Sequence, residues 1–253
     1  MTTNQLGPAA VEAPRIDLRL GDWKTALADI EMVDAVITDP PYVARTHEGQ
    51  RYGRRDEKCG EQFVSARGIG YAHWSVADVA ELVAAWAQRC AGWFCALTSH
   101  DLIPAYISEL EGTGRYVFAP IACVQHGMNV RLAGDGPSNW TTYLIVSRPR
   151  TLRAWGTLPG AYHGNPFDPG ENSATSSRRA GVVGSKPVWL MRAIIRDYSR
   201  PDDLICDPCA GGATTLIAAA IEGRRAVGAE IDPVTHAKAM RRIARGHTPS
   251  MFT

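Results

Sequence analysis

The stretch Asp39-Pro40-Pro41-Tyr42 follows directly on the apolar run Val33-Asp34-Ala35-Val36-Ile37-Thr38. Two consecutive prolines can neither continue a central strand nor enter a helix smoothly, so the segment must be a rigid corner. Pro40 and Pro41 offer carbonyl oxygens but no N–H, and Pro41 keeps Pro40 out of the helical region. An ionised Asp39 only accepts hydrogen bonds. The corner is therefore a fixed set of acceptors with an aromatic ring at its edge. It suits a planar exocyclic amine that donates two hydrogens, with Tyr42 stacked on the ring that carries it. The amine of adenine or cytosine is a poor nucleophile because its lone pair is delocalised. Accepting one hydrogen at Asp39 and the other at the Pro40 carbonyl favours a pyramidal nitrogen and frees that pair. A methyl sulfonium can then be attacked in line, with orientation and charge complementarity supplying most of the catalysis. The plain alternative is a proline-stiffened loop.

A second candidate lies near the other end of the chain. The run Leu204-Ile205-Cys206-Asp207 enters Pro208-Cys209-Ala210-Gly211-Gly212-Ala213-Thr214-Thr215, and another strand-like run ends at Glu230, twenty-three residues after Asp207. A glycine-rich turn between strand and helix brings backbone close to a ligand, and a carboxylate about 20 residues on meets ribose hydroxyls in nucleotide folds. The turn is not G-x-G-x-x-G, and Asp207 beside it would repel a diphosphate. A cationic nucleoside such as S-adenosylmethionine fits an acid-lined turn better. An ordinary tight strand–helix turn is the competing reading.

These residues need a scaffold. Ile16–Leu20 alternates with a period of two and is expected to be a strand, as are residues 33–38 and Trp93–Leu97. Ser75 and Asp78 form a capping-box pattern ahead of a helical face of Val79, Val83, Trp86 and Cys90. Asp101–Leu110 is expected to be a helix, and residues 115–124 and 141–147 strands. Lys186–Tyr198 reads as a helix with Pro187 in its first turn. Leu204–Asp207, Thr214–Glu222, Arg225–Glu230 and Pro233–Arg245 then alternate strand and helix. This alternation predicts an α/β fold with a mostly parallel sheet and helices on both faces. Residues 43–73 lack periodicity and carry Arg45, Arg51, Arg54, Arg55, Lys58 and Arg67, which predicts a long functional loop. Residues 148–185 are also irregular.

Composition narrows the classes. The chain has 253 residues, 45% of them hydrophobic, enough for one large α/β domain with a real core. A net charge of +1 excludes a generally basic nucleic-acid coat, so any such face is a local patch. Among six cysteines, only Cys206 and Cys209 form a C-x-x-C, and no second pair or nearby histidine completes a zinc site, so no metal is expected. With no signal-peptide pattern and no apolar run of membrane-spanning length, a reduced cytoplasmic setting is the expectation, without membrane contact.

Taken together, the two sites resemble the S-adenosylmethionine-dependent DNA amino-methyltransferases of the D-P-P-Y type. The proline motif precedes the glycine turn, an order that resembles the circularly permuted β class. Two blocks carry the likeness, residues 16–42 and 185–243. "LGDW" resembles the family's Gly-Asp segment, which implies that Asp22 contacts the cofactor adenine. "SKPVWLMRAII" resembles the Lys-Pro helix lining the methionine end and implies a role for Lys186. "DPCAGGATT" resembles D-P-F-x-G-S-G-T-T, implying a cofactor turn of Asp207, Cys209, Gly211, Ala213, Thr214 and Thr215. "GAEID" implies Glu230 on the ribose. Cys209 and Ala213 depart from the family's phenylalanine and third glycine. Ala213 would clash if its position requires positive φ.

The resemblance implies a Rossmann-like methyltransferase fold in a single catalytic domain over residues 1–253. It implies a target loop at 43–73 and a small target-recognition segment at about 125–185. It further implies double-stranded DNA as partner and a flipped base held against Asp39, Pro40, Pro41 and Tyr42. A cognate restriction endonuclease and a homodimer are compatible with it, in a bacterial or phage-infected cell. An acid at the first motif position favours adenine N6 over cytosine N4. DNA contacts are expected from the arginines of 45–67 or from Arg148, Arg150, Arg153, Arg178 and Arg179, each of which has solvated loop charge as its plain alternative. The rivals are methylation of an RNA or protein amine, a non-enzymatic DNA-binding protein on the same scaffold, and a dinucleotide oxidoreductase.

Overall fold

The computed structural model describes residues 16–43, 73–126, 137, 139–164 and 184–245. Within them the chain runs β1 (Ile16–Leu20), α1 (Trp23–Ala26), β2 (Ala35–Thr38), α2 (Val76–Trp86), β3 (Phe94–Thr98), a 3-10 turn, α3 (Ile103–Gly112), β4 (Tyr116–Val117), β5 (Ile121–Gln125), β6 (Thr141–Arg148), β7 (Ala161–Gly164), α4 (Val188–Tyr198), β8 (Leu204–Asp207), α5 (Thr214–Ile221), β9 (Arg225–Glu230) and α6 (Pro233–Ala244). The strands form one sheet in the order β1-β9-β8-β2-β3-β6-β5-β7, with β4 on β6. Every pair from β1 to β3 is parallel, β6 runs antiparallel to both β3 and β5, and β7 is parallel to β5. This is the expected mixed, mostly parallel α/β sheet.

Side chains alternate between faces along each strand, and the two faces build two cores. Ile37, Cys95, Leu97, Cys123, Leu144 and Ile205 pack with Leu190, Met191 and Ile194 of α4 and Leu216 and Ile217 of α5. Val36, Phe94, Ala96, Ile145 and Cys206 pack with Val79, Leu82 and Trp86 of α2 and Tyr106 and Leu110 of α3. The central strands are thus apolar on both sides, as buried parallel strands must be. The capping box forms: Ser75 N–H donates to Asp78 Oδ2 at 2.8 Å.

Three expectations need correction. The 115–124 strand is broken into β4 and β5, which pair one after the other along the same side of β6, opposite β3. The irregular stretch 148–185 contributes β7, because the short Ala161–Gly164 run pairs with β5 at the sheet edge. Pro187 caps α4 rather than entering it, since its extended ψ of 141° lies outside the helix. Residues 44–72 and 165–183, with the arginines assigned there, lie outside the described residues.

Candidate functional site

In a parallel α/β sheet, ligands gather beyond the carboxyl ends of the strands. Both motifs stand there. β2 delivers Asp39-Pro40-Pro41-Tyr42, and its neighbour β8 delivers Asp207 and the glycine turn. A cleft of about 560 Å³ opens between them, lined by Asp22, Asp39, Pro41, Lys186, Asp207, Cys209, Gly211, Thr214, Thr215 and Glu230 among others. That volume is in the range of small-molecule sites, roughly 300–1,000 Å³.

The two motifs are joined beneath the cleft. Thr38, the last residue of β2, donates its hydroxyl to Asp207 Oδ1 at 2.7 Å, and the Cys209 amide donates to the same oxygen at 3.1 Å. Asp207 is buried, and desolvation pushes its carboxyl up to about 6 despite bonds from Thr215, Thr38 and Cys209. The Cys209 thiol is driven well above its usual range, first by burial and then by the charges of Asp207, Glu230 and Asp39. It is a neutral wall of the cleft rather than a nucleophile. Cys206 points away into the α2–α3 core. Among the described residues, no group of three or more His, Cys, Asp or Glu side chains could hold a metal ion.

At the outer edge, β1 and β9 place Leu20 opposite Glu230, and the Gly21 N–H donates to the Glu230 carbonyl at 2.9 Å. Gly21 has φ of 140°, which glycine adopts without strain, and it turns the chain so that Asp22 caps α1 with a 2.9 Å bond from the Lys24 amide. The Glu230 side chain accepts from the Asp232 amide at 2.7 Å, and burial raises its pKa. Asp22 and Glu230 therefore share one rim of the cleft. Close approach beneath the turn requires Gly228: a Cβ there would lie 2.7 Å from the Asp207 carbonyl and 3.1 Å from Ala210 Cβ.

Ala213 sits in the left-handed region, φ 60° and ψ 28°, at the N-cap of α5. The position does need positive φ, and alanine adopts it with its methyl fully buried.

At the proline corner, Tyr42 donates its hydroxyl to Asp39 Oδ1 at 2.9 Å, while Lys186 donates to Asp39 Oδ2 at 2.8 Å. The Lys186 ammonium also lies 4.7 Å from the centre of the Tyr42 ring. Lys186 thus meets the corner itself, in addition to bordering the cleft.

Two positioning residues carry no motif signal. Thr38 is one. Arg242 is another: it is buried in α6, and its Nη1 donates to the Gly212 carbonyl and the Thr214 hydroxyl, each at 2.8 Å, bracing the turn from below. A charge on the same helical stripe as Ala239 and Ile243 was the available clue.

The arginines of the 148–153 cluster do not join this site. β6 is antiparallel to β3, so Arg148 sits beside the start of β3, at the far end of the sheet from Asp39. There Arg148 stacks over Tyr116 and Phe118 and bonds the Leu152 carbonyl at 2.5 Å, and Arg150 stacks over Tyr116.

Comparison with known proteins agrees with this geometry. Residues 160–241 match the model of the DNA methylase family of N6 and N4 methyltransferases. "Putative methylase YubD" of Escherichia coli (strain K12) is 25% identical over 224 residues, covering 84% of this chain and 82% of its own. Among solved structures, the M1.HpyAVI–SAM complex superposes with a TM-score of 0.66 at 19% identity, covering 90% of this chain and 98% of its own. The cytosine-N4-specific PvuII DNA methyltransferase gives 0.63 at 15% identity, covering 91% and 89%. TTHA0409 of Thermus thermophilus, solved with S-adenosyl-L-methionine, gives 0.57 at 22% identity, covering 91% and 95%. By sequence, residues 160–241 are similar to the DNA methylase model, and some nine-tenths of the chain shares the fold of these methyltransferases.

Proposed function

We propose that this chain is an S-adenosylmethionine-dependent DNA amino-methyltransferase of the circularly permuted β class, acting on the N6 amine of an adenine flipped out of duplex DNA. The observation that carries the reading is the junction of the two motifs. The acceptor corner and the acid-lined glycine turn end neighbouring parallel strands, are linked by the Thr38–Asp207 bond of 2.7 Å, and open into one cleft. The family match over 160–241 supports the same reading from the sequence side.

The cleft fits the cofactor by charge. Asp22, Asp39, Asp207 and Glu230 all line it, and burial pushes the Asp207 carboxyl up to about 6. In this reading Asp207 and the turn residues Cys209, Gly211, Ala213, Thr214 and Thr215 hold the cationic end. Glu230 takes the ribose hydroxyls, and Asp22 the adenine. When bound, S-adenosylmethionine supplies a methyl group on a positive sulfur. Asp39 accepts one hydrogen of the target amine and the Pro40 carbonyl the other, which localises the nitrogen lone pair. Tyr42 supports the ring. Asp39 is also the acceptor nearest the proton that the amine sheds. The acid at the first motif position is the reason for choosing adenine.

The experiment is mass spectrometry of nucleosides from unmethylated DNA incubated with the protein and S-adenosylmethionine. N6-methyladenine is expected. N4-methylcytosine would keep the corner and change the base. No methylated nucleoside, together with no rise in melting temperature from S-adenosylmethionine, would replace the enzyme by a DNA-binding protein on this scaffold.

A further inference from the structure

Lys186 belongs to both halves of the cleft. Its ammonium donates to Asp39 Oδ2 at 2.8 Å and lies 4.7 Å from the centre of the Tyr42 ring. The same residue lines the cleft with Ser185, Asp207, Gly211 and Thr215. Both members of the ion pair are mostly enclosed. An ammonium drawn away from Asp39 therefore needs a new anion, because an enclosed charge left alone is costly. Two other lysines line the cleft, both on its β1–β9 side. Lys24 follows Asp22 and bonds Glu81, and Lys238 lies in α6 after β9. On the side of the proline corner, the lysine among the described lining residues is Lys186. A methyl donor serving an amine at that corner must bring its sulfur there, since reacting atoms approach to about 3–3.5 Å. In S-adenosylmethionine a chain of three carbons joins that sulfur to a carboxylate. This short tether brings the carboxylate within reach of the flexible Lys186 stem. A second donor stands beside it: Ser185 Oγ is buried without a hydrogen-bond partner, and its residue lines the cleft.

We propose that Lys186 is a positioning residue that couples cofactor binding to capture of the target base. The inference rests on the amino-methyltransferase reading above. Lys186 covers Asp39 and the Tyr42 face until a base arrives, and then leaves Asp39 for the carboxylate of a bound cofactor. With the cofactor in place, the ammonium exchanges one carboxylate for another, and no enclosed charge is stranded. Asp39 Oδ2 is then released to accept a hydrogen of the amine. Without the cofactor, the same movement leaves the ammonium unpaired, so a base that enters first is held weakly. The lysine makes and breaks no covalent bond. Its effect is a coupling free energy, and by linkage each ligand strengthens the other by the same factor. The competing explanation is a fixed Lys186–Asp39 pair that only stiffens the corner.

The test reads the coupling without chemistry. The methylated nucleoside is first mapped to its sequence, and a labelled duplex carrying that site is titrated with protein by fluorescence anisotropy. The titration is repeated with saturating S-adenosylhomocysteine, which keeps the carboxylate and has no methyl to give. It is repeated again with the decarboxylated form, S-adenosyl-3-thiopropylamine, which differs only by that carboxylate. Wild type should hold the duplex about 10-fold or more tighter with the first ligand than with the second, inside the usual span of coupling between sites. Lys186→Met should hold it equally with both, and Lys186→Gln serves if the methionine variant does not fold. Lys186→Arg keeps the charge and should keep most of the difference, which a merely stiffening role does not predict. Equal affinities in the wild type, or an undiminished difference in Lys186→Met, overturn the coupling and leave the enzyme reading intact. A wild type that binds S-adenosylmethionine yet methylates no base overturns both.

Discussion

Lys186 Nζ stands 2.8 Å from Asp39 Oδ2 and 4.7 Å from the centre of the Tyr42 ring. An ammonium thus donates to the acid and covers the aromatic face at the place proposed for the target amine. The side chains are mostly enclosed, 10% exposed for the lysine and 19% for the aspartate. A carboxylate can accept several hydrogen bonds, so Asp39 can hold Lys186 and an amine together. That ring face cannot be shared: a base that stacks on the face covered by Lys186 must move the lysine, which holds the corner until the base arrives.

The first prediction follows from that pair. Asp39→Ala should abolish methyl transfer while leaving cofactor affinity within a few-fold. It should also lower stability by about 2–3 kcal/mol, because a largely buried ammonium loses its counter-charge. Adding Lys186→Met to Asp39→Ala should return most of that stability and none of the activity. Urea melts of the three proteins decide it. Equal stability in single and double variants would mean that the ion pair contributes nothing to the fold.

Asp207 gives a pH dependence with a definite sign. Its carboxyl is raised from 3.8 to about 6, so the folded chain holds the proton more tightly than the unfolded chain does. Its contribution to stability is present below about pH 4 and is lost as pH rises through about 6. A cationic ligand beside it favours the ionised form. Affinity for S-adenosylmethionine should therefore rise with pH up to about 6 and level off above it, with proton release on binding in that window. The demethylated product lacks the sulfonium and should show a shallower rise. Asp207→Asn should flatten the profile. Calorimetric titration in two buffers of different ionisation enthalpy reads both the slope and the released proton. A flat wild-type profile would remove Asp207 from the cationic end.

Most of the scaffold was legible because its strands are short apolar runs between glycine and proline punctuation. Leu204–Asp207 and Arg225–Glu230 match their expected bounds residue for residue. The proline corner and the glycine turn were also legible, since each is a local pattern with its own chemistry. What could not be read were contacts made across the sheet. Thr38 looks like any strand residue until β8 lies beside β2. β7 is four residues long and has no alternation of its own. It exists because β5 offers an edge. Arg148 and Arg150 could not be placed relative to the proline corner, because charge in a loop says nothing about which end of the sheet the loop leaves from. The reversal of β6 decided that.

Arg242 is the positioning residue whose loss should be felt furthest from it. Its guanidinium bonds the Gly212 carbonyl and the Thr214 hydroxyl, both at 2.8 Å, inside the protein. Arg242→Met keeps the aliphatic stem and leaves that carbonyl unpaired. Charge-assisted bonds of this kind contribute about 1.5–3 kcal/mol each. The variant should be less stable by about 2–4 kcal/mol and bind cofactor about 10-fold more weakly, since the turn loses its brace. Arg242→Lys reaches with one donor head and should recover only part. A variant that loses stability but keeps cofactor affinity would make Arg242 a core residue with no bearing on the turn.

Ala213 tests whether the altered glycine turn is a defect. A left-handed conformation costs a non-glycine residue about 1–2 kcal/mol. Ala213→Gly removes that cost. It also removes a buried methyl, about 1 kcal/mol, and adds unfolded-chain freedom of about 0.5–1 kcal/mol. The terms nearly cancel, which is the physical reason alanine is tolerated at φ 60° here. Ala213→Gly should therefore lie within about 1 kcal/mol of the parent and bind cofactor within a few-fold. Ala213→Val puts a branched side chain into the same conformation and should cost more than about 2 kcal/mol. Denaturant midpoints and cofactor titration check both variants. A glycine variant that gained about 2 kcal/mol and bound cofactor 10-fold tighter would mean that the turn is strained by its alanine. The balance would then move toward a protein that holds DNA without methylating it.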